Sequence, residues 1–168
     1  MKFKFLKRKT QSYLKNNKTL RSSEPYKKAA SIGVIFTVED RPKHDHIKNL
    51  IRKLEHDGKQ VKALAYLPEN QENYEFLFDF FTYREISVWG NITASSAVAF
   101  ADTPFDFLLY LDATPNELIL NVVAKSKAKC RIGKFWAEGE PFFEMMIGSN
   151  GDAKSLIDEL YKYTTALR

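Results

Sequence analysis

Polar side chains that could do chemistry follow three apolar runs of the sequence, 31–38, 105–111 and 142–147. If these runs are strands of one parallel sheet, their carboxyl ends meet at the edge where open α/β sheets bind ligands. Two carboxylates at that edge would suit an acid/base pair or a metal site. The candidate ligand-site residues are Asp40, Arg41, Asp112, Thr114, Ser149 and Asn150.

Five of these six residues also have a plainer structural interpretation. Asp40 and Asp112 are of the type that caps helices or stabilises turns, and Thr114 before Pro115 is typical of a helix start. The segment from Gly148 to Gly151 could cradle a phosphate, but a tight turn is the simpler interpretation. The loop after the first run lacks glycines, so it is neither a dinucleotide fingerprint nor a Walker loop.

No other arrangement of residues indicates catalysis or metal binding. His44 and His46 are two positions apart, so on a helix they point to different faces. The single cysteine, Cys130, excludes a disulfide framework and a cysteine-rich metal site, and we expect it to be buried. We find no nucleophile elbow. The sequence therefore predicts no catalytic residue, no metal and no cofactor, and it favours a protein that is not an enzyme.

The stretch from 105 to 133 would position the candidates Asp112 and Thr114. Six of the seven residues at 105–111 are apolar without alternation, which is typical of a strand covered on both faces. Leu118, Ile119, Val122 and Val123 then give one buried helical stripe, which we expect to begin at Pro115. A further short strand follows at 130–133. This is the pattern of a βαβ unit.

A second unit of this kind covers residues 31–67. Ile47, Leu50, Ile51 and Leu54 have helical spacing, Asp40 suits the cap, and Gly58 suits the end. Residues 69–90 are aromatic-rich, and the pattern leaves helix and strand open. The two units together predict an α/β fold, a three-layer Rossmann-like domain with a mainly parallel sheet of about five strands, preceded by a basic N-terminal helix.

Positive charge is concentrated at the N-terminus. Residues 1–28 hold ten Lys or Arg and one acid, a net charge of +9, while the other 140 residues carry −4. We therefore expect a basic N-terminal arm and linker at 1–28 and a single α/β domain at 29–168. Charge asymmetry of this kind indicates a polyanionic partner.

Three interpretations of the arm remain open. Residues 1–20 can form a helix with a narrow apolar seam, which packs on the domain, holds a nucleic acid through its cations, or lies on a membrane surface. The residues expected to bind a polyanion are Lys2, Lys4, Lys7, Arg8, Lys9, Lys15, Lys18 and Arg21.

Several motifs are typical of one family: the basic arm, the strand before Glu39-Asp40, Trp89-Gly90, Phe105-Asp106-Phe-Leu-Leu, Ala124-Lys-Ser-Lys-Ala-Lys and Arg131-Ile-Gly133. With these motifs the whole chain resembles an uncharacterised Bacteroidota family of about this length. Asp106 to Phe135 is also similar to part of the first domain of heptosyltransferase-type glycosyltransferases. The nucleotide-sugar-binding second domain of those enzymes has no counterpart, so this likeness bears on fold more than on chemistry.

We expect a cytoplasmic, non-enzymatic binding protein whose arm docks on RNA, a ribosome or another large assembly; protein partners stay open. One alternative is a small glycosyltransferase-like or sugar-phosphate/nucleotide-binding domain that uses Asp40 and Asp112. Another is a peripheral membrane-surface protein, for which the arm offers a thin apolar face.

Overall fold

A computed structural model describes residues 1–75 and 77–168. The helices are α1 (Lys2–Asn16), α2 (Arg41–His56), α3 (Ser95–Asp102), α4 (Glu117–Lys125) and α5 (Ala153–Thr165). The strands are β1 (Ser31–Thr37), β2 (Gln60–Tyr66), β3 (Asp79–Phe81), β4 (Phe107–Tyr110), β5 (Cys130–Lys134) and β6 (Met145–Ile147).

The strands form one parallel sheet in the order β3-β2-β1-β4-β5-β6. This is the strand order of the doubly wound Rossmann fold. Strand β1 lies at the centre, where Thr37 pairs with Tyr66 of β2 and Ile35 pairs with Tyr110 of β4. The predicted α/β fold with a parallel sheet is confirmed, and the described residues contribute six strands to the sheet.

Helices cover both faces of the sheet, and β1 shows how the sequence supplies both. Ile32, Val34 and Phe36 point to the face packed by α2 and α5, while Ile35 points to the face packed by α1, α3 and α4. Alternate strand residues face opposite sides, so a strand buried on both sides must be apolar throughout. Five of the seven β1 residues are buried accordingly.

Helix α4 begins later than the sequence predicts. Its cap is Asn116, whose Oδ1 accepts the backbone N–H of Leu118 at 2.9 Å, so neither Thr114 nor Pro115 starts the helix. The reason is tertiary. The amide of Asn116 donates to Oγ1 of Thr37, and its backbone N–H donates to the Tyr110 hydroxyl. These bonds hold Asn116 against the sheet, so α4 begins at the next residue, Glu117.

The segment 69–90, which the sequence left open, contains strand β3 and a turn bridged by Ile86 and Ile92. Part of its aromatic pattern, Phe76, lies outside the described residues. Among the helices described, none combines the length and the apolar character needed to cross a membrane.

Candidate functional site

The crevice between β1 and β4 is where the strand order reverses and where this fold usually takes a ligand. Here it is filled by an ion pair. Nζ of Lys43 lies 2.7 Å from Oδ1 of Asp112, and the two residues are 3% and 2% exposed. Nζ also donates to the Thr37 carbonyl at 2.9 Å and lies 3.1 Å from Glu39 Oε1. All three ammonium donors therefore have protein partners.

In this arrangement the Asp112 carboxylate is engaged in structural contacts and is not available for acid/base chemistry. Beside Lys43, it accepts the backbone N–H of Thr37 at 2.8 Å and the Thr37 hydroxyl at 2.7 Å. Asp40 is exposed and caps α2, because its Oδ1 accepts the backbone N–H of Lys43 at 2.9 Å. Its predicted capping role is confirmed. Asp40 and Asp112 each bond to a different part of Lys43.

The other candidate residues are spread along the carboxyl edge. Arg41 is exposed and lies 3.4 Å from Glu75, and Thr114 and Asn150 are exposed as well. The Ser149 hydroxyl is buried without a partner among the described residues. Ser149 follows β6, three strands from β1, which corresponds to roughly 14 Å. The structure thus places these residues at one edge but in separate neighbourhoods.

The space left beside Asp112 is small. A cavity of about 70 Å³ lies between Tyr110, Asp112, Lys134 and Trp136. Ligand pockets usually have roughly 300–1,000 Å³, so this cavity suits ordered water. In residues 1–75 and 77–168, no group of three or more His, Cys, Asp or Glu is arranged to hold a metal ion.

Helix α1 is packed on the domain. Leu6 is 1% exposed within the core that also holds α3 and α4, and Tyr13 and Leu14 pack at its border. The buried Thr10 hydroxyl donates to the Leu6 carbonyl at 3.0 Å and accepts from Asn121 of α4 at 2.9 Å. The interpretation of an apolar seam that packs on the domain is confirmed, and α1 does not extend away from the domain.

Contacts with the domain hold both ends of α1, through hydrogen bonds at one end and close backbone packing at the other. At its C-terminal end, the Asn17 amide donates to the carbonyls of Ala124 and Ser126 at 3.0 and 2.9 Å. At its N-terminal end, Gly90 has φ +78°, and a Cβ there would collide with the backbone of Phe5 and Leu6. The apolar seam explains why α1 packs on the domain. Burial of the apolar face stabilises the packed helix, while the charged side chains on the other face stay in water.

Three cations form an outward stripe on α1. Lys4, Arg8 and Lys15 are exposed and lie at i, i+4 and i+11, which is one face of a helix. That face is opposite Leu6 and Thr10. In the part of the chain that the structure describes, none of the three makes an ion pair, and we call them the α1 stripe.

The remaining predicted cations differ in their surroundings. Lys2 lies 4.2 Å from the centre of the Tyr83 ring, and Lys7 lies 3.7 Å from Glu117. Lys9 is half-buried, and Lys18 is exposed beyond the helix. Arg21 is bound within the fold, where it donates to the carbonyls of Ser126 and Ala128 and pairs with Glu144 at 3.3 Å. Arg21 is therefore a structural residue.

The sequence identified an aromatic-rich stretch at 69–90, but it did not predict that aromatic residues contact α1. Trp89 is 65% exposed, and its ring lies 5.7 Å from that of Phe5. Phe3, two residues before, stacks on Tyr83 at 5.4 Å. These contacts join residues about 80 positions apart, so no local pattern could reveal them. Exposed aromatic rings therefore adjoin the N-terminal end of the α1 stripe.

A family model described as Family of unknown function (DUF6913) matches residues 2–167. The match includes α1 together with the sheet and its covering helices. No curated protein matches the chain.

Proposed function

We propose that this chain, which belongs to the DUF6913 family of unknown function, is a non-enzymatic protein that docks on RNA or a ribonucleoprotein assembly through α1. The observation that carries the proposal is the α1 stripe. Three exposed cations, free of ion pairs among the described residues, stand in a row on a helix whose other face is locked. Such a row contacts phosphates without reading sequence.

The packing of α1 supports this function better than a flexible arm would. Binding by a disordered tail costs the entropy of ordering it, whereas a helix held by Leu6, Asn17 and Gly90 is already in place. Lys4 and Lys15 are eleven residues apart, which is about 16 Å along a helix axis. The stripe therefore offers a rigid row of positive charge.

The affinity of the protein for labelled oligouridine of about 12 nucleotides, measured by fluorescence anisotropy over a salt series, tests the proposal. The variant Lys4→Gln/Arg8→Gln/Lys15→Gln removes the stripe. For a single strand, three phosphate contacts correspond to a slope of roughly −2 when the logarithm of the association constant is plotted against the logarithm of the salt concentration, and we expect the variant to lose this salt dependence.

The matched control is Lys28→Gln/Arg52→Gln/Lys154→Gln. It removes the same charge from exposed positions near α2 and α5, on the other side of the sheet. We expect this control to bind with the slope of the original protein. An equal loss in both variants would reduce the effect to net charge, and an RNA affinity unaffected by salt would end the proposal.

The finer parts of the sequence interpretation stay predictions. They are the cytoplasmic location, the Bacteroidota origin and the likeness to heptosyltransferase-type enzymes. A sugar phosphate or nucleotide bound at Asp40 and Asp112 would have to displace the Lys43 ion pair or fit into a cavity of about 70 Å³. Both requirements weigh against this alternative. A helix lying in a membrane surface would need the apolar seam that α1 packs on α4.

A further inference from the structure

Trp89 occupies the tip of a tight turn beside α1. The backbone N–H of Gly90 donates to the Ser87 carbonyl at 3.0 Å, and that of Ser87 donates to the Asn91 carbonyl at 2.8 Å. The turn is fixed to α1 because Gly90 lies directly on the backbone of Phe5 and Leu6. A large aromatic side chain is thus held in an exposed position by a constrained backbone.

The position of the indole relates it to the α1 stripe. Trp89 contacts Phe5 at 62° between ring planes, and Phe5 is the chain neighbour of Lys4, the first cation of the stripe. With 65% of the residue exposed, most of the indole remains accessible. Proteins that bind single strands combine such a ring with a basic track, because every base offers a face for stacking while the cations follow the phosphates.

We propose that Trp89 is a stacking platform for a base of single-stranded RNA whose phosphates follow Lys4, Arg8 and Lys15. This inference rests on the proposed function and specifies its partner as a single strand with at least one unpaired base. A duplex has its bases stacked internally and offers none to Trp89.

The surroundings of Trp89 favour a base over a lipid. The exposed side of α1 bears the cations Lys4 and Arg8. The apolar seam of α1, which would have to enter a bilayer, is instead buried against α4. Val88 provides the discriminating comparison. It is 65% exposed on the same turn, as is Trp89, but it has no aromatic ring. A wedge into a bilayer would use both side chains, whereas a stacking platform uses only the indole.

The fluorescence of Trp89 provides the direct test. The chain has two tryptophans, so Trp136→Phe leaves Trp89 as the reporter. We expect oligouridine of about 12 nucleotides to quench this emission without shifting it to the blue, because the base covers the ring and water stays nearby. The same protein is titrated with duplex RNA and with phosphatidylcholine vesicles containing about one-third phosphatidylserine.

Binding of the same oligouridine to three variants complements the fluorescence. Because one stacked base contributes a measurable share of the affinity, Trp89→Ala should bind roughly five- to hundredfold more weakly. Trp89→Phe should retain most of the affinity, and Val88→Ala all of it. The urea midpoint of each variant is compared with that of the original protein, so that a loosened α1 is recognised.

The outcomes separate this inference from the proposed function. Salt-dependent binding with unquenched Trp89 and an unaffected Trp89→Ala overturns the stacking platform and leaves the stripe. No binding to oligouridine at low salt overturns both. A blue shift with vesicles, and equal losses from Trp89→Ala and Val88→Ala in vesicle binding, would assign the turn to a membrane.

Discussion

Nζ of Lys43 and Oδ1 of Asp112 lie 2.7 Å apart at the point of the sheet where the strand order reverses. Lys43 is in the first turn of α2, and Asp112 follows β4, so the pair joins the two halves of the fold. In this position a Rossmann fold usually binds a nucleotide. Here a buried ion pair occupies the crevice, and its role is structural.

The first prediction concerns this pair. Lys43→Met removes one charge and leaves the Asp112 carboxylate buried beside Thr37 without a cation, so we expect a loss of about 3–5 kcal/mol in the free energy of unfolding. Lys43→Met/Asp112→Asn should lose less, because no lone charge remains buried. Urea denaturation measures both variants.

An exposed pair provides the control for that experiment. Lys127 lies 3.5 Å from Asp102, and both side chains are more than half exposed. Lys127→Met should therefore cost at most about 1 kcal/mol. If Lys43→Met and Lys127→Met shifted the urea midpoint equally, the crevice pair would not be the structural element that its burial indicates.

The second prediction concerns the seat of α1. Gly90 and Gly58 both have positive φ, +78° and +84°. A Cβ at Gly90 meets the backbone of Phe5 and Leu6, whereas one at Gly58 meets nothing within 4 Å. Gly90→Ala should therefore be less stable than Gly58→Ala by roughly 1–3 kcal/mol, since both share the backbone strain and only one also overpacks. Thermal and urea unfolding measure the stability of both variants. Equal losses would mean that the turn can shift away from α1 without cost.

The sheet could be predicted from the sequence because its central strands have a recognisable apolar pattern. A strand such as β1 is buried on both faces and must be apolar throughout, and βαβ connections leave few other arrangements. The short edge strand β3 was ambiguous, because three residues show no period. The cap of α4 was misplaced because Asn116 is chosen by contacts with Thr37 and Tyr110, which no local rule contains.

The candidate site was harder to predict, although one signal was present. Lys43 lies four residues before Ile47, in register with the buried stripe of α2, and a lysine in that register predicts a buried partner. The partner, Asp112, is 69 residues away. For Trp89 and Phe5 no signal exists, because only the packing of α1 brings them together.

The third prediction concerns pH. The hydroxyls of Tyr26 and Tyr161 donate to one oxygen of Asp57 at 2.6 and 2.8 Å. The bond from Tyr26 lowers the pKa of Asp57 most; partial burial opposes it, and the bond from Tyr161 reinforces it. A carboxyl with a lowered pKa in the fold adds stability that is complete above its unfolded pKa of about 3.9 and is lost as the pH falls through the folded value.

Asp57→Asn should therefore lose less stability than the original protein between neutral and acid pH. Urea midpoints at about pH 7 and about pH 3 measure the difference, because these values lie on either side of the unfolded pKa of Asp57. Tyr26→Phe/Tyr161→Phe keeps the carboxyl and removes its donors, so it should resemble Asp57→Asn in this pH dependence. Parallel midpoints for all three proteins would show that the two tyrosines do not stabilise the charged form.

The fourth prediction concerns Cys130, which β5 buries as the sequence predicted. Burial, with the charge of Glu144, raises the pKa of its thiol to about 11. The thiolate is the reactive form, so a disulfide reagent should label Cys130 only when the sheet opens. We expect labelling at mildly alkaline pH to be slow and to accelerate with urea in step with unfolding. Ser12→Cys in a Cys130→Ala background places a thiol on the exposed side of α1 and should react at once. Prompt labelling of the original protein would mean that β5 opens without unfolding of the domain, since Cys130 lies in the core between the sheet and α5.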